Sequence, residues 1–375
     1  MKQSILVVAG EISGDLHASK VIRAYKEKSP ETIFWGIGGD LLAEEGVELL
    51  QHTDRMGVMG IIEVLKQYCF FKAVMKQMIA EVERRKPDAA LLVDYPGFNL
   101  RLAAELKKRG VKVYYYISPK VWAWNKKRIP KMAKTIDRLM VIFPFEVELF
   151  KGTGLQTDFV GNPLVEQIDD FLSKDERSLP WQSEQRVALL PGSRRQEIDR
   201  ILPAILAAAQ RLEMQFPAVS FLIASPNERI KKRVEELISK GPEKPSRLTV
   251  VCGGSRDVMQ QAQVAMVTSG TATLETALIG TPHILVYKTS AFTYWFARTV
   301  VKIRHIGLVN IIVKKTVCPE LIQEAASPEA MAAETSKLML DSPEKKKMLA
   351  DYHELRQLLG TKKAAENVAA LLLAD

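Results

Sequence analysis

The feature that most constrains this chain is a recurring unit: a short apolar, β-branched run, a turn of glycine or small polar residues, then a helical pattern. In the first half the runs are Ser4–Ala9, Thr32–Ile37, Ala89–Asp94, Lys112–Ile117, Leu139–Phe143 and Asp158–Val160. In the second half they are Arg186–Leu190, Ser220–Ala224, Leu248–Val251, Ala265–Thr268 and His283–Tyr287. The runs hardly alternate between apolar and polar, as expected of strands covered by helices on both faces. Such repetition predicts doubly wound parallel sheets. A polar stretch from Asp169 to Trp181 breaks the rhythm and Arg186–Leu190 restarts it, and 375 residues suffice for two domains. The expected fold is α/β, with Rossmann-like domains over residues 1–165 and 186–345, a linker over 166–185 and C-terminal helices over 346–375.

Several classes are disfavoured. No run approaches the ~18 apolar residues of a membrane-spanning helix. Ser4–Ala9 is too short for an export signal and reads as a first strand. Cys69, Cys252 and Cys318 are far apart and odd in number, without disulfide or zinc spacing, which fits a reducing cytoplasm. The net charge is +9, but no basic arm or aromatic-basic RNA motif accompanies it. Anionic lipid or a phosphorylated substrate explains the charge as well as nucleic acid does. No metal site or cofactor is expected.

Two turns in the second half suit an anionic ligand. In Leu190-Pro191-Gly192-Ser193-Arg194, a strand runs into a helix whose free N–H groups and dipole favour phosphate. Gly192 allows close approach, Ser193 can cap or donate, and Arg194 can form a forked pair with a pyrophosphate. A capped helix with solvated arginines accounts for this turn equally well. In Ser269-Gly270-Thr271-Ala272-Thr273-Leu274-Glu275, Thr271 is a candidate N-cap and Glu275 lies one turn on, able to accept ribose hydroxyls. Together the turns predict a phosphate site and a ribose site on one carboxyl sheet edge. No Asp-x-Asp triplet occurs, so leaving-group charge falls to Arg194 and the helix ends.

In the first half, Asp94 ends a buried run before Tyr95-Pro96-Gly97, where a carboxylate could take a proton from an attacking hydroxyl. The loop Gly10-Glu11-Ile12-Ser13-Gly14-Asp15 lacks the dinucleotide glycine pattern, and Glu11 and Asp15 would repel a pyrophosphate. Glu11, Ser13, Gly14 and Asp15 are therefore expected on the acceptor side. Met56–Val82 carries a broad apolar arc, including Met56, Val58, Met59, Ile62, Phe70, Phe71 and Met75, interrupted by Lys66, Lys72 and Lys76. A packed core helix is the commoner outcome for such a segment, and an interfacial one the alternative.

The ordered set Ala9-Gly10-Glu11-Ile12-Ser13-Gly14-Asp15, Asp94-Tyr95-Pro96-Gly97-Phe98-Asn99, Ser118-Pro119-Lys120-Val121-Trp122, Phe143-Pro144-Phe145-Glu146, Leu190–Arg194 and Ser269–Glu275 resembles the lipid-A-disaccharide synthase family, of the GT-B fold. The resemblance implies two Rossmann-like domains facing a cleft. It implies an inverting transfer of 2,3-diacylglucosamine from UDP-2,3-diacylglucosamine to 2,3-diacylglucosamine 1-phosphate (lipid X). It implies Asp94 as general base, Gly192, Ser193 and Arg194 at the pyrophosphate, and Ser269, Gly270, Thr271 and Glu275 at the nucleoside. It further implies Asn310 near the donor phosphates and Met56–Met75 against the cytoplasmic face of the inner membrane. C-terminal helices returning to the first domain, of the same chain or a homodimer partner, are compatible with it. Leu308-Val309-Asn310-Ile311 and Lys314-Lys315-Thr316 depart from the family pattern. Other GT-B UDP-sugar enzymes, an epimerase or an N-acetylglucosaminyltransferase, and a non-catalytic lipid carrier are the alternatives.

Overall fold

The computed structural model describes residues 3–56, 61–241, 243–290, 294–295, 304–360 and 363–374, with backbone alone for 61–68 and Trp124. The chain divides into two compact units, residues 1–163 with 359–375, and 164–358.

Among the described residues the first unit holds seven strands: β1 (Ser4–Ala9), β2 (Ile33–Gly38), β3 (Glu48–His52), β4 (Ala89–Val93), β5 (Lys112–Tyr116), β6 (Arg138–Val141) and β7 (Gln156–Phe159). Their order is β3-β2-β1-β4-β5-β6-β7, all neighbours parallel. The order reverses between β1 and β4, which opens a crevice at the carboxyl ends of those strands. The helices around this sheet are α1 (Ile12–Lys26), α2 (Asp40–Glu44), α3 (Ile61–Arg85), α4 (Pro96–Lys108), α5 (Val121–Trp124), α6 (Ile129–Thr135) and α7 (Pro144–Phe150). Val74, Met78 and Val82 of α3, spaced one turn apart, bury on the sheet with Leu92, Leu102 and Tyr115.

The second unit repeats the plan with β8 (Arg186–Leu190), β9 (Ser220–Ser225), β10 (Leu248–Cys252), β11 (Val264–Thr268), β12 (His283–Tyr287) and β13 (Glu320–Ile322). The parallel order is β10-β9-β8-β11-β12-β13, with its reversal between β8 and β11. Its helices are α8 (Pro163–Leu172), α9 (Arg195–Gln215), α10 (Glu228–Lys240), α11 (Ser255–Gln261), α12 (Thr271–Ile279), α13 (Leu308–Val313), α14 (Pro328–Met339) and α15 (Pro343–Leu359); α16 (Ala364–Ala374) follows. The expected linker over 166–185 thus begins with α8, which is grouped with the second unit.

The C-terminal helices differ from the expected block at 346–375. Helix α15 stays with the second unit: buried Leu355 and Tyr352 face inward, and Tyr352 pairs with His283 Nδ1 at 2.7 Å. Only α16 joins the first unit, where Val368, Ala369 and Leu372 bury against Val21, Ile22 and Tyr25 of α1. Asn367 Nδ2 donates to the Val160 carbonyl at 2.9 Å and fixes its register. Truncating Leu372 to alanine removes most of a side chain that is 3% exposed. Leu372→Ala is expected to destabilise the first unit by about 2–4 kcal/mol, read by chemical denaturation.

Candidate active site

The first unit's site is built on a strained turn. Asp94 and Tyr95 both adopt left-handed backbone, with φ of 45° and 48°. Each such non-glycine residue costs roughly 1–3 kcal/mol, so the surroundings must over-determine the turn. Asp94 N–H donates to the Tyr116 carbonyl at 2.9 Å. The Asp94 carbonyl accepts from Tyr115 Oη at 2.6 Å and from Asn99 Nδ2 at 2.8 Å. Asn99, fully buried, also reaches the carbonyls of Val93 and Val8. Tyr95 Oη donates to the Met56 carbonyl at 3.0 Å, and its ring lies over Gly10, where a Cβ would come within 2.3 Å of the ring. Gly10 is required by that close approach.

Held this way, the Asp94 carboxyl sits at the reversal between β1 and β4. Burial first, and then the nearby Glu11 charge, push its pKa up to about 6 against the pull of the Tyr95 amide and Lys120. A carboxylate poised there can act as a base near neutrality. Glu11 and Ser13 are exposed and Gly14 is buried against Ala9. Asp15 corrects the expectation of an acceptor-side role. It is 4% exposed, and its carboxylate accepts from the amides of Gly39 (2.6 Å), Leu41 (3.1 Å) and Leu42 (3.3 Å). It caps α2 from outside that helix.

The apolar arc also divides. Met56 is 1% exposed and belongs to the core, so it is not a membrane contact. Phe70, Phe71 and Met75 are partly buried against that core. Phe71 packs with Tyr95 and Phe98 at centroid distances of 6.4 and 6.3 Å. Val58 and Met59 lie outside the described residues, and of Ile62 only the helical backbone is described.

In the second unit Val267 pairs with Leu190, so the turns after β8 and β11 leave adjacent strands at one level. Gly192 has φ 112°, a conformation that favours glycine, and a Cβ there would meet Glu197 Oε2 at 2.9 Å. Arg194, not Ser193, is the N-cap of α9, and Ser193 is exposed. The Arg194 side chain is 79% exposed and pairs with Glu197 at 2.7 Å. Gly270, not Thr271, is the N-cap of α12, with no side-chain cap, so that helix end is open. Thr271 is exposed, and Ser269 N–H is engaged by the Val286 carbonyl.

Glu275 is 17% exposed, and its Oε1 accepts from Arg256 Nη2 at 2.6 Å and Nε at 2.9 Å. Arg256 also reaches Gln167 at 3.2 Å. Sequence reading missed Arg256; the signal was a third strand-to-helix turn, Gly253-Gly254-Ser255-Arg256. It also missed Ser225. The hydroxyls of Ser225 and Thr268, at the ends of β9 and β11, are buried without a hydrogen-bond partner among the described residues.

Asn310 is corrected as well. It is fully buried; Nδ2 donates to Cys318 O and Glu320 Oε1, and Oδ1 accepts from Val317 N and Cys318 N. Those four bonds exhaust an amide's two donors and two lone pairs, so Asn310 holds its loop together and does not reach out to phosphates. Among the described residues no group of three or more His, Cys, Asp or Glu could hold a metal.

Two such sheets define the class. The chain aligns over its full length with the UDP-GlcNAc 2-epimerase of Neisseria meningitidis bound to UDP-GlcNAc, at TM-score 0.68 and 12% identity, covering 100% of both chains. It aligns with Acinetobacter baumannii MurG at TM-score 0.58 and 13% identity, again covering both chains fully. These likenesses place the fold among GT-B glycosyltransferases and epimerases. Sequence chooses within that class. The family model described as lipid-A-disaccharide synthetase matches residues 5–373. A lipid-A-disaccharide synthase of Syntrophus aciditrophicus is 41% identical over 372 residues, 98% of this chain and 97% of that protein. One from Trichlorobacter lovleyi is 38% identical over 98% and 96%. The chain belongs to the lipid-A-disaccharide synthase family and is a hexosyltransferase of lipid A biosynthesis.

The raised pKa of Asp94 has a stability consequence. A carboxyl whose folded pKa lies above its unfolded value of 3.8 favours folding below about pH 4 and loses that contribution as pH rises through about 6. Asp94→Asn is therefore expected to be more stable than wild type at pH 8, by on the order of 1–3 kcal/mol, with the difference vanishing below pH 4. Thermal unfolding at the two pH values checks this.

Proposed function

We infer that the chain transfers 2,3-diacylglucosamine from UDP-2,3-diacylglucosamine to the 6-hydroxyl of 2,3-diacylglucosamine 1-phosphate with inversion. The observation that carries this reading is Asp94, a partly desolvated carboxyl with pKa near 6 on an over-determined turn. Family membership supports the disaccharide product, and the UDP-GlcNAc bound to the Neisseria epimerase supports a UDP-sugar as the donor class. The Asp94 carboxylate takes the hydroxyl proton as O6 attacks the anomeric carbon. The C1–O6 bond forms, the C1–phosphate oxygen bond breaks, and UDP departs with the electron pair.

Arg194, with Gly192 and Ser193, takes the pyrophosphate, exchanging its contact with Glu197 for a forked one. The uncapped α12 N-terminus at Gly270 and Thr271 adds amide donors and a favourable dipole, with Ser269 beside it. Glu275, oriented by Arg256, accepts the ribose hydroxyls. On the acceptor side Glu11 adds to the burial that raises the Asp94 pKa, and Ser13 lies in the same exposed loop. Among the described residues no helix is long and apolar enough to cross a membrane. Phe70, Phe71 and Met75 are read as meeting acyl chains at the cytoplasmic face of the inner membrane.

Incubation with both lipids in detergent should yield disaccharide 1-phosphate and UDP by mass spectrometry; turnover of an unacylated UDP-sugar instead would overturn the reading. The kcat/KM profile should rise with unit slope to a plateau above about pH 6. Asp94→Asn should lose roughly 10²–10⁴-fold in turnover while UDP affinity persists. For Arg194→Ala, calorimetry should find UDP bound roughly tenfold more weakly, the loss of one charge-assisted contact.

A further inference from the structure

Two concavities flank the turn that carries Asp94. On one side, between α3 and α4, lies an apolar groove of about 590 Å³ lined by Phe71, Met75, Ile79, Tyr95, Phe98 and Arg101 among others. On the other, between α4 and α6, lies a crevice of about 170 Å³ lined by Pro96, Gly97, Arg101, Arg128, Lys131 and Thr135 among others. Gly97 and Arg101 line both. The crevice therefore carries three cations, and no carboxylate is among its lining residues. Glu105, at the groove, is engaged by Lys108 and Arg109. Arg101 and Lys131 are exposed, and neither forms an ion pair among the described residues.

An apolar trough joined to a small cationic notch fits an amphiphile with a compact anionic group. Gly97, which lines both, is three residues from Asp94, at most about 11 Å of chain. A single sugar spanning the turn can thus keep one substituent in the notch and offer a hydroxyl to the carboxylate.

We propose that the α4–α6 crevice is the acceptor's phosphate site, where Arg101, Arg128 and Lys131 hold the phosphomonoester of the diacylated sugar while one of its two acyl chains lies in the α3–α4 groove. This rests on the acceptor identity inferred above. The phosphate then selects the acceptor and orients its 6-hydroxyl: arginine supplies forked donors and lysine a point charge. A neutral acylated sugar would leave Arg101 and Lys131 unanswered.

The test uses the full chain and the double variant Arg101→Ala/Lys131→Ala, both positions on exposed helix surface. Acceptor KM is measured with 2,3-diacylglucosamine 1-phosphate and with the same lipid lacking phosphate. The double variant should raise KM for the phosphorylated acceptor by roughly tenfold or more, the loss of at least one charge-assisted contact. Donor KM should stay within about twofold, and the unphosphorylated acceptor, already weak on wild type, should be no weaker on the variant. Equal effects on both acceptors, or none on either, would overturn the assignment.

If wild type forms no disaccharide, the inferred reaction falls and the crevice is judged by equilibrium binding of the phosphorylated lipid in detergent micelles. Weaker binding by the variant then supports the site, and equal binding overturns it. Phosphatidylglycerol vesicles form the last arm. An equal loss of vesicle binding would make the crevice a membrane contact and sink the proposal; unchanged vesicle binding supports it.

Discussion

The buried amide of Asn99 is the contact on which the first unit's chemistry depends. It draws in the carbonyls of Val8, Val93 and Asp94, and so ties the ends of β1 and β4 to the first turn of α4. The sheet reverses its strand order between those two strands, so the loops that follow them diverge and leave a crevice at their carboxyl ends. Tyr115 completes the clamp from β5. Two successive left-handed residues are tolerable only inside such a frame, and they point the Asp94 carboxyl into a partly dry environment that raises its pKa.

The second unit meets a different demand with the same plan. Here the groups that need satisfying are helix-start amides and arginines, suited to charge that develops on a leaving group. Glu197 and Glu275 engage Arg194 and Arg256 respectively. Each pair holds a guanidinium at the sheet edge, but with unlike exposure. Arg194 stands in solvent, where exchanging one anion for another costs little. Arg256 is partly buried and serves to orient Glu275. In the first unit, Glu146 is a comparable buried carboxyl: burial pushes it up to about 8, and it accepts from the Phe143 amide to start α7.

Much of this was legible in the sequence, for a physical reason. Strands covered on both faces are continuous apolar runs, so β1, β8 and β12 stand out to the residue. The missed strands are those where that reason fails. Strand β3 is an edge strand of mixed polarity, Glu48 to His52, paired across an irregularity at Gly36–Ile37, and β13 has only three residues. Local motifs located Asp94 and the two turns, because strand-to-helix junctions leave a mark of glycine and small caps. What the sequence could not disclose was the partner of each polar group. Asp15 and Asn310 have side chains suited to ligands, yet distant backbone uses them up, across 24 residues to Gly39 and eight to Cys318. Arg256 stands in a third strand-to-helix turn but acquires its meaning only beside Glu275.

Helix α16 carries a consequence for how the molecule is made. Its Val368 and Leu372 close a core that includes Ile5 of β1 and Val21 and Tyr25 of α1. The first unit is thus discontinuous, with the second inserted between its two pieces. On a ribosome, where domains usually complete in N-to-C order, this order inverts. Residues 164–358 can bury their core while α1 still waits, one apolar face uncovered, for Ala364–Ala374 to emerge.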